Sequence, residues 1–576
     1  MDRGKQGLKR SLAVDAAGIP LGIVAAPANH HDAPLLGPRL DALSITDTGM
    51  IVHLDRGYDS GVTRQRLAAR RLGSEIARRG VPQKCLHGVL VSRALQAYDG
   101  LGPNQNLSSR GCTMVTAEYG SDSSSPILNL EHLREGFGGE LLDQEHAGYH
   151  TARSVWNGMI DRRPALIARC AAVADVQAAL AYARAQGLPV AVRGGGHSAS
   201  GLSALDGGVV IDLRLMSQVE VDPETHTARA GGGTTWGQFD AATAAHGLAT
   251  TGGAISTTGI GGLTLGGGIG WLMRKHGLAC DNLVAAEVVT ADGQVRTASA
   301  DEHSDLFWAL QGGGGNFGVV TAFTFRLHPL TEVTGGLLVH PADRAGDLLR
   351  FYRQATSEAT DDLTLFAGLM TAPDGLPISA LVLAHQGTPD AAEAELVPIR
   401  AFGPPLADQV ARVPYTAQQT MLDEGFPSGL QVYWKAHFLS GLDDAAIDIL
   451  VDHFGRITSP LSAILLEQIG GAVSRVGEDE TAFSNRSAPY NLAVIARWVD
   501  PAEADRHIAW ARGVFDAMTP YSQGVYVNYL GAGDTPDRVR SAYGVETYDR
   551  LATIKATYDP DNVFAATQNI QPVARR

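Results

Sequence analysis

A single histidine follows three consecutive glycines in the segment Arg193-Gly194-Gly195-Gly196-His197-Ser198, directly after the apolar run 188–192. Because glycine has no Cβ, the backbone can turn tightly there and consecutive N–H groups can approach an anion. Two more glycine-rich stretches follow, at 252–270 and 312–318, each beside apolar segments. The pattern predicts a phosphate cradle with an imidazole at its rim, within one domain that binds a large diphosphate cofactor.

Two common motifs match by letters but not by context. Gly313-x-Gly315-x-x-Gly318 has the dinucleotide spacing, yet such a loop follows a strand and opens a helix. Here 305–311 has the pattern of a helix and 319–327 that of a strand, which is the reverse order. The segment 196–200 also lacks the closing glycine of a nucleophile elbow. Neither motif is therefore assigned.

Across about 130–572, the order of short motifs resembles the berberine bridge enzyme-like branch of the flavin oxidases, which has a vanillyl-alcohol-oxidase-type (PCMH-type) FAD domain. The motifs are Ala152-Arg153-x-x-Trp156-Asn157, Arg163-Pro164-x-x-Ile167, 193–197, Gly259-Ile260-Gly261-Gly262, Gly266-Gly267-Gly268, Arg274-Lys275-x-Gly277-Leu278-x-Cys280-Asp281-Asn282, 308–318, Tyr526-x-Asn528-Tyr529 and Tyr558-Asp559-Pro560-x-Asn562-x-Phe564. The resemblance implies FAD as the cofactor.

In that family the histidine after the glycines carries the flavin 8α-methyl group, so the resemblance assigns a covalent link to His197. Neutral imidazole is a nucleophile at neutral pH, which suits this role. Some relatives add a second link through a cysteine, but Ile255 stands at that position, so one attachment is expected. Further cofactor contacts implied by the resemblance are Arg193, Gly194, Gly195, Gly196, Ser198, Thr258, Gly259, Gly262, Gly266, Gly267, Gly268 and Asn528. Leu263 stands where several relatives carry a flavin-facing histidine.

Oxidation by hydride transfer to flavin requires a base within hydrogen-bond reach of the substrate. The resemblance points to Tyr529, with Tyr526 as the alternative, since a tyrosine of this segment serves as the base in some relatives. If the segment is a strand, the two side chains alternate faces and only one reaches the flavin. Glu467 and Gln468, before Gly470-Gly471, are further polar candidates; for Glu467 a surface or hydrogen-bonded carboxylate is an equal alternative. Asp559 and Asn562 are expected to set a turn before Phe564.

Hydrophobic periodicity places these residues on an α+β framework. A helix over 174–186 and strands over 209–213, 226–230 and 283–290 predict a two-part FAD-binding domain. Strands over 364–370, 378–384, 464–468 and 492–498 predict an antiparallel substrate sheet, covered by helices over 344–359, 391–397, 443–454 and 502–518. The expected domains are 1–90, a linker 91–127, an FAD domain 128–330 with its core at 163–330, a substrate domain 331–520, and a segment 521–576 that returns to the flavin.

The composition fits a globular enzyme. The chain has 576 residues and 44% hydrophobic content, enough for two or three domains, and its net charge of −15 argues against nucleic acid as the main partner. The four cysteines, Cys85, Cys112, Cys170 and Cys280, have neither metal-ligand spacing nor a disulfide framework. No apolar run reaches the length of a membrane span, and 1–10 leads into no signal-peptide core. We therefore expect a cytoplasmic monomer or homodimer with no metal.

The first 90 residues differ in charge from the rest, with 13 Lys and Arg against 8 Asp and Glu. The stretch 9–21 and the segment His53-Leu54-Asp55-Arg56-Gly57-Tyr58-Asp59-Ser60 resemble the core of DDE insertion-sequence transposases. Asp55 would be the second of three metal-binding acids; the first would lie before Met1, and no glutamate partner follows. One carboxylate cannot hold two metal ions. We expect an inactive α/β fragment joined to an oxidase.

The sequence thus predicts an FAD-dependent oxidase that acts on an alcohol, a sugar or a secondary-metabolite ring, with oxygen as the expected acceptor. Two alternatives remain open at this point. One is a flavin dehydrogenase that uses another acceptor. The other is a transposase-derived DNA-binding protein, which DNA binding by 1–90 would support.

Overall fold

The computed structural model describes residues 130–531 and 534–574 and, nearer the N-terminus, the backbone of four short strands. The chain divides into two compact units, Met1–Gly120 and Ser121–Arg576.

The strands described in the first unit form two pairs. They are β1 (Leu8–Val14), β2 (Pro20–Pro27), β3 (Ile51–Leu54) and β4 (Gly73–Ile76). Strands β1 and β2 pair antiparallel, whereas β3 and β4 pair parallel. Asp55 and the expected linker over 91–127 lie outside the described residues. The domain boundaries proposed from the sequence therefore stay predictions.

A four-stranded sheet begins the second unit. Its strands are β5 (Glu140–Asp143), β6 (Leu166–Arg169), β7 (Val190–Arg193) and β8 (Val209–Asp212), in the order β5-β6-β8-β7. Strands β6, β7 and β8 are parallel, and β5 is antiparallel to β6. Leu166, Ile167 and Ala168 are wholly buried, as is typical of a parallel strand covered on both faces. The glycine-histidine loop starts where β7 ends.

The helix before β7 sets the direction of that loop. The first helices are α1 (Glu131–Arg134), α2 (Tyr149–Arg153) and α3 (Val173–Ala185). The Asp175 carboxylate accepts hydrogen bonds from the N–H groups of Ala171 and Ala172, which stabilises the first turn of α3. Gly187, at φ +64°, ends the helix and turns the chain into β7. The predicted helix over 174–186 is confirmed within one residue.

A five-stranded antiparallel sheet forms the other part of the FAD half, in the order β13-β12-β14-β10-β9. Its elements, with a short β11/β15 pair, are β9 (Val219–Asp222), β10 (Thr227–Gly231), β11 (Leu248–Ala249), β12 (Leu283–Val289), β13 (Val295–Ser299), β14 (Val319–Arg326) and β15 (His328–Pro329). The helices are α4 (Trp236–Ala244), α5 (Ile260–Leu265), α6 (Met273–His276) and α7 (Ser304–Leu310). Because α7 precedes β14, the glycines at 313–318 follow a helix, and the rejection of a dinucleotide loop is confirmed.

One large antiparallel sheet forms the substrate half, as predicted. Its strands are β16 (Glu332–Pro341), β17 (Leu363–Thr371), β18 (Pro377–His385), β19 (Ala407–Asp408), β20 (Ala411–Pro414), β21 (Gln431–Leu439), β22 (Ala463–Gln468), β23 (Tyr490–Trp498) and β24 (Ser522–Gly524). The order is β19-β16-β18-β17-β22-β23-β21-β24, with β20 also on β16. Sequence periodicity missed the long strands β16 and β21 and the short strands β19, β20 and β24.

Helices cover one face of this sheet. The helices of this half and of the C-terminal segment are α8 (Ala345–Glu358), α9 (Pro389–Arg400), α10 (Tyr415–Thr420), α11 (Asp444–Phe454), α12 (Ala472–Arg475), α13 (Ala504–Met518), α14 (Pro536–Tyr543) and α15 (Val545–Tyr558). Ile464 and Leu466 of β22 pack in the core beneath α8, α11 and α13. Strand residues alternate faces, so Leu465 and Glu467 face the FAD half instead. The α+β class predicted from the sequence is confirmed.

Candidate functional site

A cavity of about 300 Å³ lies in the second unit where the FAD half, the large sheet and the C-terminal segment meet. The cradle loops contribute Gly194, Gly195, Gly196, His197, Ser198, Thr258, Gly259 and Gly262. The sheet and the loop before it contribute Phe426, Trp434 and Glu467, and the C-terminal segment contributes Tyr526, Asn528, Tyr529, Ala566, Thr567 and Gln568. Segments more than 300 residues apart in the sequence therefore share one cavity.

The glycines of the cradle are required by close backbone contact. A Cβ on Gly195 would overlap the backbone of Gly259, and a Cβ on Gly259 would overlap Gly195. In the part of the chain described, the N–H groups of Gly195, Gly196 and His197 have no protein acceptor. Gly262 faces open space with no atom within 4 Å of a built Cβ. Free N–H groups around an open space are what a diphosphate needs, so the cradle fits the cofactor predicted from the sequence.

His197 stands at the rim of the cradle and stacks on an indole. The ring centroids of His197 and Trp156 lie 4.4 Å apart with an interplanar angle of 19°. His197 Nε2 lies 3.4 Å from the Thr257 hydroxyl. Burial lowers the pKa of His197 to about 4, because the charged form loses hydration. The imidazole is therefore neutral at neutral pH, the form in which it is a nucleophile.

Some residues implied by the resemblance lie behind the cavity wall. Buried Arg193 donates to the carbonyl oxygens of Ala152 and Ser203. Gly266 packs so closely on Asn528 that a Cβ would overlap its amide. Gly267 and Gly268 have φ values of +124° and +97°, which glycine adopts readily. These residues shape the wall, and their assignment as cofactor contacts stays a prediction.

The expected alternation of Tyr526 and Tyr529 on a strand is wrong. Residues Val527–Tyr529 form a 3-10 turn, in which side chains three residues apart lie on the same side. The two rings are edge-to-face with centroids 4.9 Å apart, and both line the cavity. The turn forms where the chain leaves β24, so no ladder partner holds it extended. Both tyrosines are therefore present in the site.

The two hydroxyls have different partners. Tyr526 Oη accepts hydrogen bonds from the Gly268 N–H at 2.9 Å and from Asn528 Nδ2 at 2.8 Å. Tyr526 thereby ties the C-terminal segment to the glycine-rich wall. Tyr529 Oη donates to Glu467 Oε1 at 3.0 Å. Burial raises the pKa of both phenols, and the nearby Glu467 carboxylate raises that of Tyr529 further.

Glu467 is a buried acid on the cavity face of β22. Its Oε2 accepts from Asn491 Nδ2 at 2.6 Å, across the β22–β23 register pair, and its side chain lines the cavity. Burial raises its pKa to about 7, although the hydrogen bonds from Asn491 and Tyr529 favour the charged form. The expectation of a surface carboxylate is wrong, and that of a hydrogen-bonded one is confirmed. Gln468 faces the opposite side, where it accepts from the Leu365 N–H.

Sequence reasoning missed Asn491, Trp434 and Phe426. Asn491 pairs with Glu467 only through strand register, which a single sequence does not encode visibly. Trp434 lies on β21, whose even-numbered residues face the FAD half; that alternation was the available signal. Phe426 lies on the connecting loop before β21, where periodicity gives no signal.

The turn predicted before Phe564 is confirmed. Asp559 accepts hydrogen bonds from the N–H groups of Val563 and Phe564, and Asn562 has a positive φ of 52°. The Lys555 ammonium lies 3.2 Å from Asp559 in a fully buried ion pair. Among residues 130–574 as described, no helix is both long and apolar enough to span a bilayer, and no group of three His, Cys, Asp or Glu side chains could hold a metal ion.

Family models match three parts of the chain. An FAD binding domain matches residues 164–299, a berberine and berberine-like segment matches 525–571, and a transposase DDE domain matches 1–82. These are the two families expected from the motifs.

Similar proteins support the first two matches over most of the second unit. An FAD-linked oxidoreductase of Dictyostelium discoideum is 31% identical over 73% of this chain and 91% of its own. The (R)-6-hydroxynicotine oxidase of Paenarthrobacter nicotinovorans is 31% identical over 75% of this chain and 97% of its own. The solved structure of 6-hydroxy-D-nicotine oxidase from Arthrobacter nicotinovorans has a TM-score of 0.69 and 28% identity, and covers 76% of this chain and 98% of its own.

Proposed function

Since this chain belongs to the FAD-linked oxidoreductases of the berberine bridge enzyme-like family, we propose that it oxidises a small molecule with FAD linked through His197, while Tyr529 and Glu467 take the substrate proton. The substrate is an alcohol, a sugar or a secondary-metabolite ring, and oxygen is the final acceptor. The observation that carries the proposal is the Tyr529–Glu467 hydrogen bond on the wall of the same cavity as His197.

The path of the proton follows from the pKa values of Tyr529 and Glu467. When bound, FAD supplies the two-electron acceptor that takes a hydride from the substrate. The substrate O–H or N–H proton passes to Tyr529 Oη as the Tyr529 proton passes to Glu467 Oε1. Tyr529 cannot keep a negative charge at neutral pH, because its pKa is raised well above 10, whereas the pKa of Glu467 is about 7. Glu467 therefore holds the proton, and Tyr529 relays it.

Asn491 accommodates both states of Glu467. Its Nδ2 donates to the ionised carboxylate, and its buried Oδ1 has no partner among the described residues. Because the proton from Tyr529 goes to Oε1, the hydrogen bond from Asn491 Nδ2 to Oε2 is kept in both protonation states. A base must change protonation in every turnover, so a neighbour that serves either form suits this position.

Two features support attachment through His197. The imidazole is neutral at neutral pH, and Trp156 and Thr257 hold it at the rim of the cradle. Ile255 lines the cavity where a second link would need a thiol. We propose that the N–H groups of the cradle contact FAD. The flavin ring would then lie in the region between Gly262 and Glu467.

One experiment tests reaction and acceptor together. The purified holoenzyme is mixed anaerobically with a panel of alcohols, sugars and ring amines, and loss of flavin absorbance is followed. Oxygen is then added to the reduced enzyme. Bleaching by a panel member and fast recovery in oxygen support an oxidase, whereas slow recovery in oxygen and fast recovery with a quinone identify the dehydrogenase. A flavin that no panel member reduces contradicts the proposal for these substrate classes.

A further inference from the structure

The wall of the cavity around Glu467 is rich in aromatic side chains. We infer that the substrate presents a flat aromatic ring, neutral or positively charged, to Trp434 and Phe426. This inference deepens the proposed function and rests on it, since it concerns the substrate of the same site.

Three aromatic side chains form this part of the wall. Trp434, Phe426 and Tyr529 all line the cavity and belong to one hydrophobic cluster. The Trp434 and Tyr529 rings lie 4.6 Å apart at 36°. Aromatic rings pack well against other rings in offset or edge-on geometry. A ring in the cavity would therefore meet rings on the same side as the Glu467–Tyr529 pair.

The aromatic wall is held rigidly. The Arg497 guanidinium lies 4.4 Å from the Phe426 ring centroid and donates to the Gly425 and Leu461 carbonyl oxygens. The Trp156 indole N–H donates to the Phe426 carbonyl oxygen at 3.1 Å. Because these contacts fix Phe426 from the loop and from the sheet, little side-chain entropy is lost when a ligand packs against it.

Two polar side chains of this wall already have partners, and the Trp434 indole N–H is a buried donor with none among the described residues. Tyr529 Oη donates to Glu467, and Asn528 Nδ2 donates to the Leu263 carbonyl oxygen and to Tyr526. The neighbouring lining residues Leu263 and Ile269 are apolar. A sugar ring needs a donor or acceptor for each hydroxyl that it buries, and an unmet hydroxyl is costly. An apolar ring with one exchangeable proton needs only the Glu467–Tyr529 pair.

Charge excludes an anionic ring. Within the described part of the chain, His197 and Glu467 are the ionisable groups of Asp, Glu, His, Lys and Arg type that line the cavity. His197 is neutral and Glu467 is the one partly charged group, and it is negative. The Asp423 carboxylate, which accepts from the Ser256 N–H and hydroxyl, adds a negative charge near His197. Arg497 lies on Phe426, and its bonds go to backbone carbonyls. A substrate carboxylate would find no cation on the wall, whereas an amine would be attracted.

Binding to the holoenzyme tests the inference through perturbation of the flavin spectrum under anaerobic conditions. The probes are benzyl alcohol against cyclohexylmethanol, benzylamine against benzoate, and cellobiose. We expect benzyl alcohol to bind about three- to tenfold more tightly than cyclohexylmethanol, the usual size of an aromatic pair effect. We also expect benzylamine to bind more tightly than benzoate. Equal binding of the two alcohols, tighter binding of benzoate, or a preference for cellobiose overturns the inference.

Two variants locate the effect. Trp434→Leu should reduce the ratio of the affinity for benzyl alcohol to the affinity for cyclohexylmethanol to about one. Trp434→Phe, which keeps a ring, should retain the wild-type ratio. An affinity ratio that is unchanged in Trp434→Leu overturns the assignment.

Failure of the proposed function gives a different result: aromatic probes bind with the stated preference, yet no aromatic alcohol or amine reduces the flavin. Reduction by a non-aromatic substrate that binds more tightly than the aromatic probes leaves the reaction standing and overturns the aromatic class.

Discussion

The Tyr529 hydroxyl donates to Glu467 Oε1 over 3.0 Å, and this bond joins the C-terminal segment to the large sheet. The two residues are 62 positions apart in the sequence. Neither would be an effective proton acceptor alone, because the phenol is too weak an acid to stay ionised and the carboxylate lies behind it. Together they form a relay whose final group titrates near neutral pH.

Removal of either member of the relay should slow flavin reduction. Tyr529→Phe and Glu467→Gln are each expected to lower the anaerobic reduction rate by about 10²–10⁴, the usual contribution of general base catalysis. The double variant should lose little more than either single variant, since both residues act on one proton. Tyr526→Phe is the control, because its hydroxyl binds the Gly268 N–H instead. Wild-type rates in both single variants would refute the relay and leave the site without an assigned base.

The pH dependence should follow Glu467. The acid must be ionised to take the proton, and burial raises its pKa to about 7. The reduction rate is therefore expected to rise about tenfold per pH unit below pH 7 and to level off above it. Stopped-flow measurement from pH 5 to 9 checks this, and Glu467→Gln should lose the inflection. An inflection that stays near pH 7 in Glu467→Gln would assign it to another group.

Acid precipitation tests the attachment site. The wild-type pellet should stay yellow, while His197→Ala should release FAD into the supernatant, because Ile255 offers no second link. His132→Ala, at a side chain that is 93% exposed, is the matched control and should behave like the wild type. A colourless wild-type pellet would show that the flavin is not covalently bound.

Asp240 should make stability depend on pH. Both of its carboxylate oxygens are buried without a hydrogen-bond partner among the described residues, and burial raises its pKa well above the usual value. The folded state therefore keeps the proton after the unfolded chain has lost it above about pH 4, so stability falls as pH rises from there. Asp240→Asn removes this loss. Its Tm should exceed that of the wild type by about 2 °C or more at pH 8 and by little at pH 4.

The control for this measurement is Asp301→Asn, at an exposed carboxylate between β13 and α7. The difference in Tm between that variant and the wild type should be small and nearly the same at pH 4 and pH 8. A Tm difference in Asp240→Asn that is the same at both pH values would mean that Asp240 is already ionised in the folded protein.

Deletion of residues 1–120 should leave flavin content and turnover nearly unchanged. The FAD and berberine-like family matches begin at residue 164, and the cavity lining comes from the second unit. One candidate acid, Asp55, cannot form the two-metal site of a DDE transposase. The flavin absorbance per mole of protein measures the flavin content, and the rate of flavin reduction measures the activity. Loss of soluble protein or of flavin in the truncated chain would show that the first unit has become part of the enzyme.

The sequence alone predicted the cradle, because three glycines directly precede His197 and further glycine-rich stretches follow. The structure adds the reason for two of them, since the backbones of Gly195 and Gly259 touch. The sequence also predicted the longer helices of the substrate half and several strands of both halves, since their periodicities are local. Local patterns likewise excluded a dinucleotide loop, through the order of α7 and β14.

The tertiary structure decided which groups share the proton. The sequence leaves Glu467 open between a polar group of the site and a surface or hydrogen-bonded carboxylate. In the fold, β-sheet register brings Asn491 beside it, and the 3-10 turn at Val527–Tyr529 brings the phenol to its other oxygen. These relationships depend on strand pairing and on a turn without ladder partners, neither of which has a local signature. Burial then raises the pKa of Glu467 to about 7, because the dielectric around a carboxylate is a property of the whole fold.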